Sequence, residues 1–197
     1  MTTDELAYNT PEWFESLRWQ HMWIQYMVGW WAGTYGVPAT ICDFGCGDGW
    51  WVKCFHDLGS TVGGIELHDI AAEYIPEQVQ VLITDLREPL ELGNVYDLTM
   101  CIEVAEHLPK TAADTLCWTL NRHTHNTLLF SAAQKGQGGT GHINLQPLDY
   151  WRKKLSSRGL EFSPLRTGQV RAAFENINNE LFAYLPRNLM VFSRVRK

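Results

Sequence analysis

The stretch DFGCGDGW, Asp43 to Trp50, decides how this chain is read. Glycine alternates along it at Gly45, Gly47 and Gly49, and the residues just ahead, ATIC (39–42), are apolar and partly β-branched. That is a buried strand running into a tight turn. Gly49 to Leu58 then reads as a helix closed by Gly59. Glycines at such a turn allow positive φ and let the backbone approach a ligand closely. In an open α/β sheet, ligands bind outside the C-terminal ends of the strands, and the first strand-to-helix turn is the usual place.

Outward from the turn, strands and helices alternate. Ahead of it, Thr10, Pro11 and Glu12 read as an N-cap, a first-turn proline and a first-turn acid. A helix then runs to about Gly33, with Trp13, Leu17, Ile24, Met27 and Trp31 at helical spacing. Behind it come apolar strands at TVGGIEL (61–67), VQVLITD (79–85), YDLTMCIE (96–103) and TLLFSAA (127–133). Helices are expected over Lys110 to Arg122, Pro147 to Arg158 and about Gly168 to Leu185. LEFSP (160–164) is short and extended, and NLMVFSRV (188–195) closes the chain as a strand whose direction the pattern does not fix. Strands that are apolar throughout and alternate with helices imply a mainly parallel sheet covered on both faces.

Three templates compete for the turn. A P-loop needs GxxxxGK[ST], because a lysine must reach the phosphates; Trp50 and Trp51 follow here instead. The dinucleotide fingerprint GxGxxG would put its third glycine at position 50, where a bulky indole stands. The third, DxGxGxG, is matched by Asp43, Gly45, Gly47 and Gly49.

DFGCGDG resembles motif I of the class I S-adenosylmethionine-dependent methyltransferases, and later residues fall where that family would place them. GGIEL supplies Glu66 for the ribose hydroxyls, with Leu67 beside it; LITDL supplies Asp85 and Leu86 near the adenine; CIEVAEHLP supplies Glu103 at the methionine end. The resemblance covers residues 39–133. It implies a Rossmann-like α/β fold with a mostly parallel seven-stranded sheet, and S-adenosyl-L-methionine as cofactor, held along Asp43, Gly45, Cys46, Gly47, Gly49 and Trp50. The chemistry agrees without the family name. A ribose diol can donate to a carboxylate, the absence of phosphate tolerates Asp43 and Asp48, and a cationic sulfonium favours carboxylates and aromatic faces. The plainer readings are a turn cap for Asp43, a strand-end surface acid for Glu66 and a turn residue for Asp85.

For an oxygen acceptor, a group near neutral pKa must take the proton. His142 lies in KGQGGTGHINLQPLDYW (135–151), after the fifth strand. His142, Asn144 and Gln146 alternate, so an extended segment would put them on one face toward an acceptor. The glycines would let the segment move as a lid. His142 is the first choice for the base and His107, in EVAEHLP, the second. Trp13, Trp19, Trp23, Trp30 and Trp31 crowd the N-terminal helix. They read either as core plus a dimer seam or as a cap over the active site in which Trp19 and Trp23 stack on the acceptor or the cofactor. His123 and His125 read as a helix end favourable to its dipole, and no metal is expected from the histidine spacings.

One domain over 1–197 is expected: an aromatic helical cap (1–36), a cofactor-binding core (39–133), and an acceptor-side loop with C-terminal strands (134–197). Hydrophobic residues make up 45% and charged ones 19% of 197, as in a globular protein. The net charge of −6 argues against generic nucleic-acid binding. The acidic N-terminus carries no apolar signal core, and MWIQYMVGWWAG (22–33) is too short to span a bilayer. Five cysteines without a CxxC pair read as reduced, buried thiols. The expectation is therefore a cytoplasmic monomer or homodimer that methylates a hydroxyl of a small molecule or glycan unit. The rivals are a nucleic-acid or protein methyltransferase, a methyltransferase-like binding module without turnover, and a nicotinamide dehydrogenase. The [DN]PP[YF] pattern of amino-methylating nucleic-acid enzymes does not occur in the chain.

Overall fold

The computed structural model describes residues 7–175, 177 and 184–195. Its seven strands form a mostly parallel sheet in the order β3-β2-β1-β4-β5-β7-β6, as the alternating pattern predicts. The chain divides into two compact units, Met1–Asp85 and Leu86–Lys197.

The first unit opens with α1 (Pro11–Leu17). Its N-cap Thr10 accepts from the Trp13 N–H at 3.2 Å, and Pro11 takes a position where no N–H is needed. The single helix expected here is broken. A 3-10 turn, Arg18–Gln20, separates α1 from α2 (His21–Tyr35). Ile24, Met27, Val28 and Trp31 form the buried stripe of α2, and Gly36 ends it at φ 85°. The strands β1 (Thr40–Phe44), β2 (Thr61–Glu66) and β3 (Gln80–Ile83) pair in parallel. The crossover from β1 to β2 is α3 (Trp50–Asp57).

In the second unit, β4 (Tyr96–Ile102) pairs in parallel with β5 (Thr124–Ser131). A 3-10 turn, Lys110–Ala112, leads into α4 (Ala113–His123) between them. Then follow α5 (Leu148–Ser156), β6 (Leu160–Phe162), α6 (Pro164–Glu175), the short α7 (Leu185–Asn188) and β7 (Met190–Arg194). The last strand runs antiparallel to both β5 and β6, which settles the direction the sequence left open. α6 starts at Pro164, earlier than expected, and positions 176 and 178–183 of the expected helix lie outside the described residues. Leu98, Met100, Leu116, Phe130, Trp151, Phe174 and Phe192 are fully buried and make this unit's core.

All five cysteines are buried thiols, none of them in a disulfide. His123 departs from its expected part as a charged helix end. Its Nε2 accepts from the Leu92 N–H at 3.0 Å, its Nδ1 lies 2.7 Å from the Thr119 carbonyl, and burial holds its pKa down. It is a neutral imidazole that satisfies buried backbone groups.

Candidate functional site

β1 delivers the chain into the glycine turn, and all three glycines sit at positive φ: 89° at Gly45, 55° at Gly47 and 70° at Gly49. A side chain in that region costs about 1–2 kcal/mol at each position, so the alternation is a backbone requirement. The Gly45 and Cys46 N–H groups both donate to the Ile65 carbonyl, at 2.8 and 2.9 Å, and tie the turn to the end of β2. Cys46 packs its buried sulfur against Gly64, where a β-carbon would come within 2.6 Å of it.

Glu66 is buried at the end of β2. Its Oε2 accepts from the Gly47 N–H at 2.9 Å; its Oε1 accepts from Leu67 N at 2.8 Å and His68 N at 3.3 Å. An ionised carboxylate offers about four lone-pair sites, and two of these three bonds fill Oε1. Accepting from both ribose hydroxyls, the part the sequence resemblance implies for Glu66, therefore needs rearrangement: Oε2 has room for one hydroxyl, and a second must displace a backbone N–H.

Asp43 is also buried, and its Oδ1 has no hydrogen-bond partner in the protein. Burial, then the charges of Glu66 and Asp48, push its pKa up to about 8. Asp48 has a different task. Its Oδ1 accepts from the Trp50 N–H at 3.2 Å, and its Oδ2 meets His21 Nε2 at 2.6 Å. The His21 ring stacks on Trp50, 3.8 Å between centroids and 7° from parallel, and Trp50 Nε1 donates to the His21 carbonyl. Further along the cap, a β-carbon on Gly47 would meet Leu17 Cδ1 at 3.3 Å and Trp13 at 3.9 Å.

The N-terminal segment thus covers the glycine turn, through Trp13, Leu17 and His21. Trp19 lies exposed on the 3-10 turn and Trp23 is half-buried on α2. The sequence reading missed His21: 27 residues separate it from Asp48, and no local pattern joins them. Leu67 and Asp85 are half-buried at the ends of the neighbouring strands, and Leu86, the first residue of the second unit, is buried.

In the second unit the chain leaves β4 through Glu103, which has φ 54°, the one positive φ outside glycine among the described residues. Its N–H donates to the Ser131 carbonyl and hydroxyl at 3.2 and 3.0 Å, and its carboxylate accepts from Asn188 Nδ2 at 3.2 and 3.4 Å. Glu106 follows, fully buried. Its Oε1 accepts from the Ala133 N–H at 3.0 Å, no group donates to its Oε2, and the Glu103 carboxylate lies within hydrogen-bond reach of the group. Burial and the neighbouring Glu103 charge raise its pKa well above the carboxylate range.

The fold brings the two candidate histidines together: the rings of His107 and His142 meet edge to face, 4.9 Å between centroids. Burial, then His142, lowers the His107 pKa to about 4, against a backbone hydrogen bond to Gly141. His142 packs on Gly139, where a β-carbon would overlap its ring. The segment after it is pinned down, since Ile143 and Asn144 both donate backbone N–H groups to the Glu106 carbonyl at 2.9 Å. Here the expectation of one row facing an acceptor is corrected. Asn144 is buried and its Nδ2 donates to the Ala105 carbonyl, while Gln146 Nε2 donates to Asn144 Oδ1. These amides hold the loop. The pinned backbone also leaves less of the glycine-rich segment free to act as a lid.

A family model described as methyltransferase domain matches residues 31–163, more than half of the chain. No curated protein matches the sequence significantly. Three of the solved structures that this fold resembles illustrate the likeness. The first is magnesium protoporphyrin IX methyltransferase (ChlM) from Synechocystis PCC 6803, crystallised with S-adenosylhomocysteine, at 19% identity and TM-score 0.60 over 90% of this chain and 84% of that one. The second is CalS10, an amino pentose methyltransferase from Micromonospora echinaspora, at 14% identity and TM-score 0.67 over 89% and 91%. The third is a TehB-like methyltransferase from Corynebacterium glutamicum ATCC 13032, at 16% identity and TM-score 0.65 over 95% and 100%.

Proposed function

This chain belongs to the methyltransferase-domain family, and from that premise we propose that it uses S-adenosylmethionine to methylate a hydroxyl of a small molecule or glycan unit. The observation that carries the cofactor is the bond from the Gly47 N–H to Glu66 Oε2. It couples a turn of three left-handed glycines to a buried carboxylate that keeps room for a hydroxyl donor. The residues fit an adenosine without phosphates. No lysine follows the turn, Glu66 and Asp43 are acceptors, and Asp43 Oδ1 is buried without a partner.

S-adenosylmethionine, when bound, supplies the activated methyl group. Glu66 would accept from the ribose, the Asp43–Trp50 turn would hold the amino-acid end, and Leu67 and Asp85 would border the adenine. On the acceptor side, His142 is the imidazole an acceptor hydroxyl meets. His107 is neutral at physiological pH, since its pKa lies near 4, so it can accept a hydrogen bond there without carrying charge. The similar structures include methyltransferases of a porphyrin and of an amino pentose, so what supports an oxygen acceptor over a nitrogen one is the histidine side-chain set alone.

The experiment is calorimetric titration with S-adenosylmethionine and S-adenosylhomocysteine beside NAD and ATP. Binding of the first two alone is expected, weakened by Glu66→Gln. Binding of NAD or ATP alone, or of nothing, overturns the reading. No helix among the described residues is long and apolar enough to cross a membrane.

A further inference from the structure

Glu106, His107 and His142 each offer a ligand atom, and these atoms lie within 4.8 Å of one another. They come from two places in the chain, the exit of β4 and the loop after β5. Pinning of Ile143 and Asn144 to the Glu106 carbonyl is what joins them. We propose that this trio is a binding site for a divalent transition-metal cation.

Three independent features support it. Glu106 Oε2 is buried and no group donates to it; the side chain within its hydrogen-bond reach is Glu103, a second carboxylate that cannot donate while both are ionised. A buried carboxylate oxygen left so costs free energy unless a cation or donor meets it. His142 Nδ1 is likewise buried without a partner. Finally, the other groups around the trio already show the supporting bonds a metal site needs: Glu106 Oε1 takes the Ala133 N–H, and the His107 ring is bonded to the Gly141 backbone. Such bonds fix the carboxylate and the imidazole tautomer, so that the remaining oxygen and nitrogen carry lone pairs inward.

Two imidazoles and one carboxylate suit manganese, iron, cobalt or zinc better than magnesium or calcium. Ligands about 2.1 Å from a metal stand roughly 3.4 Å apart in a tetrahedron, so the cluster closes by small side-chain rotations. Three protein ligands leave positions open for oxygen ligands from a substrate. A hydroxyl bound there loses its proton to solvent more readily, as metal-bound water does. This use of the site rests on the methyl-transfer reading and makes both histidines ligands where that reading has them as bases. The cation site itself stands on the geometry alone.

The test uses the full chain stripped with a chelator, titrated calorimetrically with Mn²⁺, Zn²⁺ and Mg²⁺, and with Co²⁺ followed by its visible absorption. One equivalent of Mn²⁺ or Zn²⁺ is expected, bound more tightly than Mg²⁺. Affinity should fall at least about 10-fold in His142→Ala and in Glu106→Gln and stay unchanged in His56→Ala. Circular dichroism reports folding, and His142, on a loop, gives the variant least exposed to misfolding. No binding by the wild type, or equal binding by the two ligand variants, overturns the site. S-adenosylhomocysteine is titrated into the same metal-free sample. Its failure to bind, with the cation bound and the ligand variants defective, would sink the methyl-transfer reading and leave the metal site standing.

Discussion

His21 Nε2 and Asp48 Oδ2 meet at 2.6 Å, and the same imidazole lies flat on the Trp50 ring. A residue of α2 thereby holds the acidic corner of the glycine turn in place, while Asp48 Oδ1 caps the first N–H of α3. Both side chains are largely shielded, 23% and 11% exposed, so the contact escapes most of the screening that weakens surface pairs. His21→Phe keeps an aromatic face for Trp50 and deletes the bond. Urea denaturation should show a loss of about 1–3 kcal/mol, and S-adenosylhomocysteine affinity should fall with it. An unchanged denaturation midpoint would mean the contact contributes nothing to holding the turn.

Glu103 tests whether a left-handed residue at the end of β4 is under strain. Glu103→Ala removes the Asn188 contact and keeps a β-carbon at φ 54°. Glu103→Gly removes the contact and the β-carbon together. Backbone freedom in the unfolded chain favours alanine, but relief of a left-handed β-carbon favours glycine by about 1–2 kcal/mol. The glycine variant is expected to unfold at the higher temperature of the two. The opposite order would show that the surrounding bonds to Ser131 relax the strain.

These two residues also mark what the sequence carries and what it withholds. The turn was legible because backbone geometry demands glycine at three alternating positions, and demand of that kind leaves a local signature. Glu66 was legible for a similar reason, as an acid at a strand end a fixed distance on. The direction of β7 was not, since an apolar run reads the same in either sense. Neither was the break at Arg18–Gln20, because helical spacing continues across it. On the acceptor side, the two amides Asn144 and Gln146 hold the loop where alternation had placed them toward an acceptor. Alternation put Asn144 with His142 on one face, but the backbone bonds to Glu106 bury its amide. The Glu106–His107–His142 cluster joins residues from two loops, and no spacing along the chain announces it.

Asp43 predicts a pH dependence. Its carboxyl binds a proton more tightly in the folded state, with a pKa of about 8 against an ordinary 3.8. The folded state therefore holds more protons than the unfolded one between those values, and stability falls as pH rises through that window. A tenfold difference in proton affinity between the two states corresponds to about 1.4 kcal/mol. Asp43→Asn resembles the protonated acid. Thermal unfolding of the ligand-free protein should show the variant close to wild type at pH 4 and more stable at pH 8. Glu106, raised in the same direction, keeps part of the slope in the variant. A variant less stable than wild type at pH 8 would mean Asp43 is ionised in the folded protein.

Gly138 and Gly139 offer a matched pair on one loop. A β-carbon on Gly138 meets nothing within 4 Å, while one on Gly139 overlaps the His142 ring. Neither glycine has a positive φ, so alanine is tolerated by the backbone at both. Stability should change by no more than about 0.5 kcal/mol in Gly138→Ala and fall by up to about 1–3 kcal/mol in Gly139→Ala, where the ring must shift. The difference should appear in turnover with a hydroxylated acceptor. Displacing a reacting group by about 1 Å can cost on the order of 100-fold, and Gly139→Ala must move His142 by a comparable amount. Gly138→Ala should match wild type, and S-adenosylhomocysteine affinity should hold in both. Equal turnover in the two variants would place His142 outside the chemistry, whether as base or as ligand. A Gly139→Ala variant slowed only at low acceptor concentration would confine its part to binding the acceptor.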